Sequence, residues 1–232
     1  MEPWISAAVS EIGLRGTNED SFLEAPDLRL WAVADGMGGH SHGEVASRTA
    51  VRALKHAVLE GEDLPGAVAA ANRATWREAR HRASDMGTTL VALRLHTDRW
   101  ELSWLGDSRA YRWSNGRLER LSRDHTLVQQ WVEQGRISAG EARNHPYGHV
   151  LTQAAGLEEQ ARTDSLEGPL TGSEVFLLCS DGLTDTLGEE RIAEVLDDMP
   201  PADPARALAD AALAADNPFQ DNLTVVVIRR HP

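Results

Sequence analysis

The sequence holds a single cysteine, Cys179, so no intramolecular disulfide can form and a reducing compartment is the default expectation. It has no apolar run near the roughly 18 residues of a membrane-spanning helix. Its first residues, MEPWISAAVSE, lack the basic start and long apolar core of a secretory signal. Together these absences predict a cytoplasmic protein with no membrane partner. Positive charge is also scarce: 23 Lys and Arg stand against 36 Asp and Glu, a formal net charge of −13. That balance argues against a nucleic-acid partner, because affinity for a phosphate backbone needs clustered cations. There is no internal repeat, low-complexity tract or linker rich in Pro, Gly or Ser. At 232 residues the expectation is one domain spanning 1–232, long enough to bury a substantial core, and a monomer.

The glycine-rich stretch WAVADGMGGHSHGE, residues 31–44, first suggests a phosphate cradle. It fails both standard patterns. A dinucleotide fingerprint would need glycine where Ser41 stands, and a P-loop would need Lys and Ser/Thr where Glu44 and Val45 stand. Asp35, at the end of an apolar run, is the better clue.

Strand-like runs rich in β-formers lie at 28–34, 88–96, 100–105, 109–113, 175–179 and 223–228. Asn115-Gly116, between 109–113 and 117–121, is a hairpin signal. Helical patterns lie at 43–60, 66–83, 126–136, 189–196 and 204–215, the last with Asp203 as N-cap and Pro204 at the first helical position. The helices come in pairs between groups of strands. That order predicts antiparallel sheets covered by helices, an α+β fold, and argues against a doubly wound parallel sheet.

Four aspartates stand at the ends of the most apolar strands: Asp35, Asp107, Asp181 and Asp221. Asn18-Glu19-Asp20 adds two more carboxylates. Asp at a strand end is commonly a turn or cap residue. Several such carboxylates converging would repel one another unless a cation joined them, and oxygen-only donors match Mg²⁺ or Mn²⁺. Arg15, three residues before Asn18, is either an ion-pair partner for these acids or a planar fork for a phosphate. These residues point to metal-assisted hydrolysis of a phosphate ester. His40 and His42 form a loop pair better explained by solvent than by a metal, and Cys179 in VFLLC reads as a core residue.

Eight blocks in order along the chain resemble the metal-dependent phosphatases of the protein phosphatase 2C (PPM) family, its compact bacterial members above all. They are G-x-R-x-x-N-E-D at 13–20, A-D-G-M-G-G at 34–39, M-G-T-T at 86–89, G-D-S-R at 106–109, R-D-H at 123–125, L-T-Q-A-A-G at 151–156, S-D-G-L-T-D at 180–185 and D-N-L-T at 221–224. The resemblance implies a four-layer α-β-β-α sandwich with the metal centre at one end of two antiparallel sheets. It implies that Asp35 bridges two Mn²⁺ or Mg²⁺ ions, one completed by Glu19 and the Gly36 carbonyl, the other held by Asp181 and Asp221. Asp107 with Asp181 would hold a third, weaker ion, Asp20 would orient metal-bound water, and Arg15 would grip the substrate phosphate. Water between two ions about 3.5–4 Å apart would then lose a proton near neutral pH and attack phosphorus in line.

The implied activity is hydrolysis of phosphoserine and phosphothreonine in proteins, reversing a bacterial Ser/Thr kinase. A non-catalytic scaffold of the same fold and a hydrolase of small phosphate esters are the competing readings. One position departs from many eukaryotic members: Met37 stands where they carry a histidine proposed as general acid, which leaves His40 or metal-bound water as proton source. Residues of about 123–151 correspond to the flap beside the active site in bacterial members. There Leu127, Val128, Trp131 and Val132 form a helical stripe, and Gly135, Ser138 and His145-Pro146 punctuate two short helices.

Overall fold

All five residues of LWAVA, at 30–34, are buried, which explains why this strand reads as a continuous apolar run. In a computed structural model describing residues 4–38, 42–143, 145–172, 174–197, 203–215 and 217–230, both faces of that strand are covered. The elements in chain order begin β1 (Trp4–Glu11), β2 (Ser21–Ala25), β3 (Leu30–Ala34), β4 (Gly36–Met37), α1 (His42–Leu59) and α2 (Leu64–His81). There follow β5 (Gly87–Thr88), β6 (Leu90–Leu95), β7 (Arg99–Leu105), β8 (Arg109–Ser114), β9 (Arg117–Arg120), α3 (Leu127–Glu133) and α4 (Ala139–Arg143). The chain closes with β10 (Asp164–Pro169), β11 (Val175–Cys179), α5 (Asp181–Thr184), α6 (Glu189–Asp197), α7 (Pro204–Leu213) and β12 (Leu223–Arg230).

Two five-stranded sheets, ordered β1-β12-β11-β8-β9 and β10-β7-β6-β3-β2, are antiparallel throughout. The period of two along each strand divides the core into layers. Leu30, Ala32 and Ala34 of β3 pack against α1 and α2 with Leu54, Leu64 and Val68, while Trp31 and Val33 face the other sheet. Phe176 and Leu178 of β11 meet Val226 and Ile228 of β12 between the sheets. On the far side Leu177, Cys179, Val225 and Val227 pack against α6 and α7 through Ile192, Leu196 and Leu208. The result is the four-layer α-β-β-α sandwich that the resemblance implies, built of the antiparallel, helix-covered sheets expected from the order of elements, and Cys179 is fully buried within it.

The expected local signals hold where backbone chemistry is strongest. Asn115 and Gly116 both take positive φ, 53° and 72°, as the tight β8–β9 turn requires. Asp203 caps α7 by accepting from the Arg206 N–H at 2.9 Å. Four differences have physical causes. The run 28–34 starts as a 3₁₀ turn over Pro26–Leu28, and Arg29 at φ 50° precedes β3. The run 88–96 divides into β5 and β6 at Thr89, whose N–H goes to the Asp35 carbonyl at 2.8 Å rather than along the sheet. Besides the two-residue β4, three strands of the large sheets, β1, β2 and β10, were not expected. Each is a sheet edge, half-exposed and of mixed polarity, so none carries an apolar run. Asp181 opens the short helix α5 instead of a turn.

Candidate metal centre and active site

Antiparallel pairing sets the start of β12 beside the end of β11, with Cys179 opposite Val225, and the end of β7 beside the start of β6, with Leu105 opposite Leu90. The acids that follow or precede these ends therefore meet. A pocket of about 450 Å³ is lined by Arg15, Glu19, Asp35, Gly36, Asp107, Asp181 and Asp221, together with Met37, Thr89, His149, Leu151 and Asn222. Seven of the eight residues singled out from sequence are thus brought together. Asp20 is the exception: it lies behind the pocket, lining a second cavity of about 340 Å³ with Ser10, Ser21, Phe22, Arg48 and Arg52.

The backbone around the acids is clamped by the remaining motif residues. Asp35 N–H donates to Thr89 Oγ1 at 2.9 Å, its carbonyl accepts from the Thr89 N–H and the Thr88 hydroxyl, and Thr89 Oγ1 bonds Ser108 Oγ at 2.6 Å. Asn222 ties three segments: its Oδ1 accepts from Glu19 N–H at 2.8 Å while its Nδ2 donates to the carbonyls of Ile12 and Thr17. A Cβ on Gly36 would lie 2.2 Å from the Gly43 carbonyl oxygen, and one on Gly182 would lie 2.0 Å from that of Asn222. Only glycine lets these loops approach so closely. His125 of R-D-H is buried, and its Nδ1 accepts from the Gly106 N–H at 3.1 Å, holding the turn before Asp107. Asp124 accepts from both Arg109 and Arg120, which joins the G-D-S-R and R-D-H blocks.

The electrostatics are those of crowded acid. Burial first, then Asp20, Asp181 and Asp107, push the Asp35 carboxyl well above the ordinary carboxylate range. Burial and then Asp181 do the same to Asp107. Burial raises Glu19, against an opposing hydrogen bond from the Gly43 backbone. Asp20 is pushed up to about 7, chiefly by burial, although Ser180 Oγ donates to its Oδ2 at 2.7 Å. Arg15, expected at a substrate phosphate, lies on an acid here: its Nε and Nη2 fork onto Asp221 at 2.7 and 2.5 Å.

His149 is the pocket residue that motif reading missed. It is exposed, belongs to no motif block, and reaches the pocket only because the flap segment folds back, with Leu127 N–H on the Val150 carbonyl at 2.9 Å. Its Nδ1 lies 3.7 Å from Asp181 and 3.6 Å from Asp185, and attraction to these acids, Asp181 first, raises it to about 9. Ligand atoms of His149, Asp181 and Asp185 all lie within 4.8 Å of one another. In the same segment α3 and α4 form the two short helices expected. Trp131, His145 and Tyr147 cluster edge to face there, and of the anticipated stripe only Val128 is buried. Met37 lines the pocket and has no proton to give, while Gly39, His40 and Ser41 lie outside the described residues.

The donor set fits a divalent cation. Five carboxylates face one pocket in which, among the described residues, Arg15 and His149 are the only basic side chains. Asp181 Oδ1 is buried without any hydrogen-bond partner. Such an all-oxygen set is the chemistry of Mg²⁺ or Mn²⁺ rather than of a soft metal.

Comparison with known proteins agrees with this geometry. The family model Protein phosphatase 2C matches residues 15–215. The serine/threonine protein phosphatase PstP of Mycobacterium tuberculosis is 39% identical over 233 residues, 95% of this chain but 44% of PstP, so the chain spans under half of that relative. The serine/threonine phosphatase stp of Listeria monocytogenes is 34% identical over 94% of this chain and 92% of its own length. A crystal structure of PstP superimposes with a TM-score of 0.90 at 36% identity, covering 99% of this chain and all of that one. The PstP catalytic domain in complex with two manganese ions superimposes at 0.85 and 36% identity, covering 99% of each chain. The chain belongs to the protein phosphatase 2C family.

Proposed function

We propose that this chain hydrolyses phosphoserine and phosphothreonine in proteins, using Mn²⁺ or Mg²⁺ held in its acidic pocket, and opposes a Ser/Thr kinase. The observation that carries the reading is the meeting of Glu19, Asp35, Asp107, Asp181 and Asp221 around one pocket beside Arg15. When bound, divalent cations supply the charge that acidifies a water and neutralises phosphoryl oxygens.

Asp35, at the junction of β3 and β4, is assigned the shared ligand position, with Glu19 and the Gly36 carbonyl on one side and Asp181 and Asp221 on the other. Asp107 with Asp181 is assigned a further cation position. Asp20 reaches the centre through Ser180, the residue before Asp181, and is a positioning residue. Arg15 already presents two parallel donors to a carboxylate, and the same planar fork matches two oxygens of a phosphoryl group. Residues 1–232 are read as one catalytic domain, with the segment 123–151 as its flap. No helix among the described residues is long and apolar enough to cross a membrane, consistent with a cytoplasmic place of action.

The test is release of phosphate from a phosphothreonine peptide with Mn²⁺, compared with EDTA and with Asp181→Asn. Metal-dependent turnover that collapses in the variant is expected. Turnover unchanged by Asp181→Asn would overturn the ligand assignment, and no turnover by the metal-loaded protein on several phosphopeptides would favour a scaffold.

A further inference from the structure

Acids dominate the pocket, yet the loops that border it carry exposed apolar side chains. Among the described residues the two most exposed large apolar side chains are Phe219, 85% exposed, and Leu14, 70% exposed. Both belong to the loops that carry pocket residues. Leu14 directly precedes Arg15, and Phe219 lies two residues before Asp221. Leu14 N–H donates to the Gln220 carbonyl at 3.0 Å, and Gly13 lies so close that a Cβ there would sit 2.2 Å from the Asp221 carbonyl oxygen. The two loops are therefore joined to one another beside the pocket residues Arg15 and Asp221.

That junction is firmly held. Phe219 N–H donates to Asn217 Oδ1 at 3.0 Å, Asn217 donates in turn to Thr186, and Gln220 Nε2 donates to the Gly182 carbonyl at 2.9 Å. Ile12, 43% exposed, is a further exposed apolar side chain two residues before Leu14. A second apolar element is Val150, 44% exposed, between His149 and Leu151, both pocket residues. Two side chains exposed this far on hydrogen-bonded loops leave most of their apolar surface in water, and apolar surface left open beside a pocket marks an interaction site.

Its occupant follows from continuity with the pocket. A phosphorylated side chain that reaches Arg15 brings its own main chain across Leu14, whose Cα is about 3.8 Å from that of Arg15. We infer that Leu14 and Phe219 select phosphoprotein segments carrying a bulky apolar residue within two positions of the phosphoresidue. The inference rests on the phosphatase reading above and names the substrate class for that same pocket. Acidic flanking residues are disfavoured on the same grounds, because they would approach a pocket with five carboxylates on a chain of net charge −13.

The test uses two phosphothreonine peptides identical except for Leu or Ala at the positions flanking the phosphoresidue, with p-nitrophenyl phosphate as a small substrate. With Mn²⁺ the wild type is expected to show kcat/KM about tenfold higher on the Leu peptide. The double variant Leu14→Ser, Phe219→Ser is expected to lose that preference through a raised KM, with p-nitrophenyl phosphate turnover unchanged. Equal kcat/KM on both peptides, or a preference that survives in the variant, would overturn the inference while leaving the phosphatase reading standing. Hydrolysis of p-nitrophenyl phosphate without either peptide would overturn the protein-substrate reading together with the inference.

Discussion

Replacing Asp20 by Asn in the metal-free protein tests how far crowded acid strains this fold. Asp20 is 8% exposed, and burial moves its carboxyl from an ordinary 3.8 up to about 7 against the opposing hydrogen bonds of Thr224 and Ser180. A folded-state value above the unfolded one means the folded protein holds the proton more tightly. Stability linked to Asp20 is thus complete below about pH 4 and lost as pH rises through 7. Each decade of proton affinity is worth about 1.4 kcal/mol, so the whole loss is about 4 kcal/mol and the part between pH 5 and pH 8 about 3 kcal/mol.

Asn carries no charge to desolvate. It keeps an oxygen for the Ser180 hydroxyl, now at 2.7 Å, but sets an amide where Asp20 Oδ1 has no partner. An unmet buried donor costs about 1–3 kcal/mol at every pH, so it offsets the two proteins by a constant. The assay is urea unfolding in EDTA at pH 5 and at pH 8. Relative to wild type, Asp20→Asn is expected to gain about 3 kcal/mol between the two conditions. A gap of the same size at both pH values would refute the reasoning.

Three other outcomes are expected. Arg15→Gln removes the fork that occupies Asp221, so calorimetry should find Mn²⁺ bound several-fold more tightly and inorganic phosphate more weakly; unchanged Mn²⁺ affinity would contradict a competing ion pair. Asp124→Ala leaves Arg109 and Arg120 without their shared acid, whose side chain is only 10% exposed. Denaturation should report a loss of about 3–5 kcal/mol, and a loss under 1 kcal/mol would show the pair of arginines to be solvated. Gly182→Ala must move the Asn222 carbonyl, 2.0 Å from the added carbon. Its melting temperature should fall and its Mn²⁺-induced stabilisation shrink, whereas normal values for both would mean that the 221–222 loop yields freely.

The central strands were legible because each is buried and written in apolar β-formers. LWAVA and VFLLC are buried throughout, and so are the first six residues of β12. Edge strands such as WISAAVSE and DSLEGP are half-solvated, so their sequences need no pattern and showed none. The acids of the pocket were legible one by one as carboxylates at strand ends, since antiparallel order brings such ends together. Their chemical type and their order along the chain are properties of the sequence alone.

Which acids share a wall, and which stands behind it, is a property of the tertiary structure. Asp20 adjoins Glu19 in the chain, yet the turn of backbone between them sends Glu19 into the pocket and Asp20 toward Ser180 and Thr224. His149 has no local pattern at all; only the folding of the flap back onto α5 sets it beside Asp181 and Asp185. Leu14 and Phe219 are 205 residues apart (219 − 14), and their loops are joined by the Leu14–Gln220 backbone bond and the close approach of Gly13 to Asp221. The sequence determined the donors and the layers, because hydrophobic period and carboxylate chemistry are local. The company each donor keeps was decided by long-range pairing, which no stretch of sequence carries by itself.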